Sequence, residues 1–189
     1  GSSGSGKSSV VFAGLLPRLR EAGGWCIVAC RPGVQPFHAL AAALLPSLEP
    51  GLDETKRLAH TRKLADALRQ GDRPLCDLAE QALENNAGAS RLLLLVDQFE
   101  ELYTLCPRPE TRQRFLDILL AAVKAVPESR KFPFVLLLTM RADFMGQALT
   151  HRPFVAALQE SSLLLGSMTR EELRTVIEKP AEKQGAALE

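Results

Sequence analysis

Short, continuous apolar runs alternate along the chain with longer segments in which apolar residues recur at helical spacing. Runs of strand length occupy residues 25–30, 92–96 and 132–139, and a shorter candidate strand covers 162–165. Helical spacing predicts helices at 8–20, 37–45, two within 53–86, 111–126, 153–159 and 169–183, and a loop is predicted at 141–146. Strands that alternate with helices predict an α/β fold, with a mostly parallel sheet in three layers.

Residues known to start and stop helices support these boundaries. Gly23 and Gly24 follow the first helical segment, and Gly71 interrupts the pattern within 53–86. Thr169 and Glu172 have the spacing of a capping box, which predicts the start of the last helix. The run 92–96 (LLLLV) is apolar at every position, as expected when helices cover both faces of a sheet.

Composition narrows the classes of function. The 189 residues suit one domain with the beginning of a second, and 46% hydrophobic residues supply an ordinary globular core. A formal net charge of +1, with 8 Phe, 1 Tyr and 1 Trp, argues against direct nucleic-acid binding. No apolar run has the roughly 18 residues of a membrane span, and no signal peptide opens the chain. The four cysteines form no CxxC pair, so we expect free thiols and a cytoplasmic location.

The first eight residues, GSSGSGKS, match the phosphate-loop pattern G-x-x-x-x-G-K-[ST]. In this pattern glycines let successive backbone N–H groups turn towards the phosphates, and the following helix points its positive end at them. Lys7 is predicted to reach the β- and γ-phosphates, and the Ser8 hydroxyl is predicted to ligate Mg²⁺. The predicted nucleotide-binding residues are Gly1, Ser2, Ser3, Gly4, Ser5, Gly6, Lys7, Ser8 and Ser9.

The segment GSSGSG also has the composition of a flexible linker or a tag remnant. A linker has no reason to continue into Lys7, Ser8 and an apolar helix, which favours the phosphate loop. A phosphate loop normally follows a strand, and here the chain begins at Gly1. We therefore expect the first strand of the fold to be missing.

An aspartate ends the second apolar run. In a parallel sheet this places the Asp97 carboxylate at the edge where ligands bind, where it can hold Mg²⁺ directly or through water. Glu100 and Glu101 follow within one turn, and either can polarise a water molecule that attacks a phosphate. Each acid also has a plain structural interpretation, since acids cap turns and favour the first turn of a helix.

Two arginines follow strands at the same edge. Arg141 comes just after the third run, where a cation can contact the γ-phosphate and stabilise charge in a transition state. Its alternative is a surface ion pair with Asp143. Arg31 follows the first run but lies further from the expected γ-phosphate, so a surface pair or a turn role is predicted for it.

Six segments together carry a family resemblance: GSSGSGKSS, VVFAGLLPRLR, CRPGVQPFHALAAAL, LLLLVDQFEELYT, LLLTMRADF and MTREELRTVIEKPAEKQG. They resemble the NTPase core of STAND-type signalling ATPases, most closely the novel-STAND group whose NTPase commonly precedes a WD-repeat β-propeller. The resemblance covers nearly the whole chain. The phosphate loop is shared by many families, whereas DQFEEL followed by TMRADF is much more specific.

The resemblance implies a P-loop NTPase core over residues 1–166, lacking its first strand, and the beginning of a helical lid over 167–189. It assigns Lys7 and Ser8 to phosphates and Mg²⁺, Asp97 to Mg²⁺, Glu100 or Glu101 to the attacking water, and Arg141 to a sensor role. It also implies a switch in which ADP keeps the protein closed. Exchange of ADP for ATP then permits self-assembly or the binding of protein partners, through domains beyond this chain.

Several functions remain open at this point. The chain is expected to be a slow Mg²⁺-dependent ATPase or a nucleotide-gated interaction module in which turnover is incidental. A third possibility is an α/β fragment that binds no nucleotide. An AAA+-type ATPase is the alternative family, but such proteins usually place a second acid directly after the strand-end aspartate, where this chain has Gln98.

Overall fold

The structure, a computed structural model, describes residues 5–124, 133–159, 161–166, 168–183 and 185. Four residues of the predicted phosphate loop lie outside these ranges: Gly1, Ser2, Ser3 and Gly4. So do positions 125 and 126 of the predicted helix 111–126, and position 132 of the predicted strand 132–139.

Three parallel strands form the sheet of the described chain. They are β1 (Trp25–Cys30), β2 (Arg91–Val96) and β3 (Phe134–Leu138), in the spatial order β1-β2-β3. The register pairs Cys30 with Val96, and Val96 in turn with Leu138. The carboxyl ends of all three strands therefore lie side by side at one edge of the sheet.

Helices precede the sheet, connect its strands and follow it. The first, α1, starts with an α-helical turn at Lys7–Ser9, continues as a π-helix over Val10–Leu15 and ends as an α-helix over Leu16–Ala22. The others are α2 (Pro36–Leu48), α3 (Glu54–Gln70), α4 (Leu75–Glu84), α5 (Glu101–Thr104), α6 (Pro109–Lys124), α7 (Met145–Ala148), α8 (Arg152–Leu158) and α9 (Arg170–Lys183). None of the helices in the described ranges combines the length and apolar content that crossing a membrane would require.

Strand β2 explains why the fold has three layers. Its residues Leu92, Leu94 and Val96 face a large core built with α2, α3, α4 and α6. Leu93 and Leu95 face the opposite side, where they pack with α1. Because both faces are covered, every position from 92 to 96 is buried, and each buried leucine contributes about 2 kcal/mol to folding. The predicted α/β fold with a three-layered parallel sheet is confirmed.

Local signals in the sequence also appear in the structure. Gly71 ends α3 in the left-handed conformation with φ 88°, which favours glycine. The predicted capping box opens α9, since Thr169 N–H donates to Glu172 and Glu172 N–H donates back to the Thr169 hydroxyl. All four cysteines are free, as expected.

Two local predictions are wrong. Residues 162–165 form no strand, and Leu163 and Leu164 are largely exposed, because no strand of the described chain lies beside them to supply hydrogen bonds. The segment 141–146, predicted as a loop, contains a 3₁₀ turn at Ala142–Phe144 and the start of α7. A single helical turn contains too few residues for the spacing of apolar residues to predict it.

Candidate functional site

The carboxyl edge of the sheet brings three polar residues together, one after each strand. Arg31 follows β1, Asp97 follows β2 and Thr139 follows β3. Backbone hydrogen bonds extend the pairing by one residue, from Asp97 N–H to Cys30 (2.9 Å) and from Thr139 N–H to Val96 (3.1 Å). The sheet itself thus fixes the backbone of the acid and of the hydroxyl beside it.

The Asp97 carboxylate is the centre of this cluster and is 1% exposed. Its Oδ1 atom accepts hydrogen bonds from the hydroxyls of Ser8 (2.7 Å) and Thr139 (2.6 Å). Its Oδ2 atom accepts one from Arg31 Nε at 3.1 Å. Burial raises the pKa of Asp97, but the three donors outweigh it and hold that pKa below its ordinary value. Asp97 is therefore an ionised carboxylate in a buried setting.

Thr139 joins the ends of β2 and β3. Besides donating to Asp97, its hydroxyl accepts a hydrogen bond from Gln98 N–H at 3.0 Å. Its carbonyl accepts one from Phe99 N–H at 2.8 Å. Gln98 has a φ of 52°, a left-handed conformation that costs a non-glycine residue about 1–2 kcal/mol, so the turn after Asp97 is held against its local preference. From the sequence, Thr139 was only the last residue of the third apolar run, with no predicted role.

The described part of the phosphate loop lies beside the acid. Ser5 is buried, and Lys7 Nζ lies 3.4 Å from its hydroxyl. Gly6 has a φ of 76° and accepts at its carbonyl the hydrogen bond from Val10 N–H (2.8 Å) that starts α1. A Cβ at Gly6 would come within 2.8 Å of the Met168 methyl group. Met168, just before α9, therefore packs closely against this loop.

A cavity of about 470 Å³ opens at this edge. Its walls combine the phosphate loop with the residues that follow β2 and β3: Gly6, Lys7, Ser8, Ser9, Gln98, Glu100, Thr139 and Arg141. The structure thus brings the phosphate-loop residues from Gly6 to Ser9, one of the two candidate bases and the sensor candidate to one cavity.

The two candidate bases have different surroundings. Glu100 lines the cavity, and its Oε2 atom accepts a hydrogen bond from Arg141 N–H at 3.3 Å. The Glu101 carboxylate instead accepts a hydrogen bond from Gly33 N–H at 3.1 Å, which ties the loop after β1 to the start of α5. Geometry therefore gives Glu100 access to the cavity and Glu101 a structural contact.

Arg141 lines the cavity through its position after β3, but its guanidinium is paired with Asp143. Nε donates to Oδ1 at 3.1 Å and a terminal nitrogen donates to Oδ2 at 2.5 Å. The guanidinium carbon also lies 5.4 Å from the centre of the Phe144 ring. These bonds raise the pKa of Arg141 and lower that of Asp143. Two of the three guanidinium nitrogens are thus bonded to Asp143.

Arg31 is the residue for which sequence reasoning was wrong. A surface pair or a turn role was predicted, yet its partner is the most buried acid of the site. The pairing spans 66 positions and depends on how the loop after β1 folds back towards β2. The only signal in the sequence was its place directly after a strand.

The site fits a magnesium ion bound together with phosphates. In the described chain, no group of three or more His, Cys, Asp or Glu side chains is arranged to hold a metal ion by itself. Ser8 and Asp97 supply one hydroxyl and one carboxylate. Mg²⁺ commonly binds through one or two such oxygens, with water and substrate phosphates completing its shell.

A parallel three-layered sheet, with a Gly-Lys-Ser turn opening a helix beside a strand-end aspartate, is the architecture of a P-loop NTPase core. A family model described as Novel STAND NTPase 1 matches residues 1–189, so the chain belongs to this family of NTPases. This match confirms the STAND resemblance and favours it over the AAA+ alternative. No match was found among curated proteins.

Proposed function

We propose that this chain binds ATP or ADP with Mg²⁺ in the cavity at the carboxyl edge of the sheet, as the nucleotide switch of a signalling protein. The hydrogen bond from Ser8 to Asp97, 2.7 Å long, carries the proposal. It joins Ser8, the last position of the phosphate loop, to the strand-end acid 89 residues away, and Ser8 lines a cavity of about 470 Å³.

This bond prepares the Ser8 oxygen for a cation. Because the hydroxyl donates its proton to Asp97, the oxygen lone pairs are left for another ligand. Lys7 lies on the same wall and can neutralise the β- and γ-phosphates. Mg²⁺ held at Ser8 and Asp97 would supply charge neutralisation at the transferred phosphoryl group.

Slow hydrolysis is the second part of the proposal. Glu100 is the favoured base, because its carboxylate lines the cavity and can accept a proton from a water molecule that attacks the γ-phosphate. Arg141 is the favoured sensor because it lines the cavity, although two of its guanidinium nitrogens are bonded to Asp143. A sensor arginine that is bonded to Asp143 before it contacts a phosphate is consistent with slow hydrolysis.

Helix α9 supports the interpretation of residues 167–189 as the start of a lid. The segment before it contacts Gly6 through Met168. Three apolar side chains of the helix are exposed: Leu173, Val176 and Ile177. We propose that this helix continues into a lid whose conformation responds to the nucleotide. We also propose that the protein is cytoplasmic and that its protein partners recognise the conformation of this lid.

Titration with a fluorescent ATP analogue, with and without Mg²⁺, tests the binding proposal. We expect saturable binding by the chain and a loss of at least about 100-fold in affinity for Lys7→Ala, since one charged contact to phosphate is removed. Lys124→Ala, at the end of α6, is the control and should bind like the wild type. Equal binding by all three proteins would show that the cavity is not the nucleotide site.

Single-turnover hydrolysis separates an ATPase from a module that only binds. We expect Glu100→Gln to reduce the rate by about 100-fold or more with little change in affinity, as loss of a general base does. Glu101→Gln is the matched control, because its carboxylate contacts Gly33 instead of the cavity. Binding without any hydrolysis by the wild type would favour the nucleotide-gated module.

A further inference from the structure

Arg31 makes a contact that the proposed nucleotide chemistry does not explain. Its Nε donates to Asp97 Oδ2 at 3.1 Å, while Ser8 and Thr139 donate to the other carboxylate oxygen. The Arg31 side chain is 55% exposed, whereas Asp97 is 1% exposed. The pair therefore joins a fixed acid to a cation that has room to move.

The backbone around Arg31 is held in place. Pro32, the residue after Arg31, has its φ angle fixed by its ring. Gly33 N–H donates a hydrogen bond to the Glu101 carboxylate at 3.1 Å. Cys30, on the other side, accepts a hydrogen bond from Asp97 N–H. The loop after β1 is thus attached on both sides of Arg31, and this keeps the guanidinium close to Asp97.

We propose that Arg31 sets the cation affinity of Asp97, because the guanidinium and a divalent cation compete for one carboxylate. With Arg31 in place, Asp97 has a low affinity for free Mg²⁺ and a higher affinity for Mg²⁺ that binds together with a nucleotide. The part concerning the nucleotide rests on the proposed function. The competition itself involves only Arg31, Asp97 and the metal ion.

The charges near the cavity give the reason. Asp97 is already neutralised by Arg31, whose Nε donates to its Oδ2 atom. A free Mg²⁺ ion would have to displace Arg31 or share the carboxylate with it, and two cations held at one carboxylate repel each other. Nucleotide phosphates bring several negative charges, which offset this repulsion. The half-exposed Arg31 can then turn towards solvent or phosphate.

The test is isothermal titration of the chain with Mg²⁺ alone, without nucleotide, at a temperature where circular dichroism shows each variant folded. We expect weak binding by the wild type and at least about tenfold tighter binding by Arg31→Gln. Arg69→Gln is the matched control. Its side chain has the same 55% exposure and pairs with Asp66 on α3. It should bind Mg²⁺ like the wild type.

Arg31→Lys separates charge from hydrogen bonding and remains informative if Arg31→Gln does not fold. It keeps the positive charge but loses the guanidinium geometry, so its Mg²⁺ affinity should stay within about twofold of the wild type. A tenfold gain for Arg31→Lys would overturn the proposal. So would equal Mg²⁺ affinities of Arg31→Gln and the wild type, or an equal gain for Arg69→Gln. The nucleotide titration of Lys7→Ala tests the proposed function separately, so the two can fail independently.

Discussion

Replacing Thr139 by valine tests the network around Asp97, because the two side chains have nearly the same shape and differ in the hydroxyl. The change removes a 2.6 Å hydrogen bond to the carboxylate and leaves Gln98 N–H without its acceptor. A hydrogen bond to a charged group contributes about 1.5–3 kcal/mol, and an unsatisfied donor costs about 1–3 kcal/mol when fully buried. Gln98 is only partly buried, so we expect a loss of about 3 kcal/mol.

The loss should depend on pH in a defined direction. The donors lower the pKa of Asp97 below its ordinary 3.8, so their stabilisation is present above that value and lost as pH falls through the lower pKa of the folded protein. Without the Thr139 hydroxyl, the pKa in the folded variant is higher. The difference in stability between variant and wild type should therefore be largest near neutral pH and shrink in acid.

Urea unfolding followed by circular dichroism, from neutral pH down to the lowest pH at which the wild type stays folded, measures this effect. In thermal unfolding near neutral pH, the melting temperature of Thr139→Val should fall by about 6–12 °C, given about 2–4 °C per kcal/mol for a domain of this size. Thr150→Val is the control, since its exposed hydroxyl donates only to the Gln147 carbonyl. A Thr139→Val protein within about 0.5 kcal/mol of the wild type, or a loss that is constant with pH, would refute the role given to this hydroxyl.

Three further substitutions test other parts of the structure. Gln98→Gly should raise stability by about 0.5–1 kcal/mol in urea unfolding, because glycine adopts the φ of 52° without strain; a loss would show that the side chain matters more than the backbone. Phe99→Ala should cost about 3–5 kcal/mol, since the fully buried ring stacks on Phe154 with centroids 5.8 Å apart; a melting temperature near the wild type would contradict this packing. Thr169→Ala should cost about 1 kcal/mol of local stability, seen as faster hydrogen exchange in the first turn of α9, while global unfolding changes little; unchanged exchange would contradict the capping box.

The parts of the fold that the sequence predicts are those with strong local signals. The run 92–96 is apolar at every position, and parallel pairing then places Asp97 at the same edge as the phosphate loop. The capping box at Thr169 likewise depends on residues three apart. In each case the physical cause lies within a few residues or in a general rule of parallel sheets.

The unpredicted parts depend on contacts between distant segments. Arg31 reaches Asp97 because the loop after β1 is held by Glu101, and periodicity contains no information about that contact. Gln98 adopts a left-handed conformation although glycine or asparagine would be expected there, because Thr139 accepts the hydrogen bond from its N–H. Residues 162–165 have the apolar character of a strand, but a strand also requires a neighbour.

The position of Trp25 gives this protein a built-in optical reporter. It is the only tryptophan, it starts β1, and the Arg91 guanidinium carbon lies 5.5 Å from the centre of its ring. Cys30 lies five residue steps further along the strand, roughly 17 Å away, at the carboxyl edge of the sheet. The indole therefore lies at the opposite end of β1 from the proposed nucleotide site. Its emission therefore follows the integrity of the sheet, and a change on adding nucleotide would reveal a rearrangement transmitted along the strands.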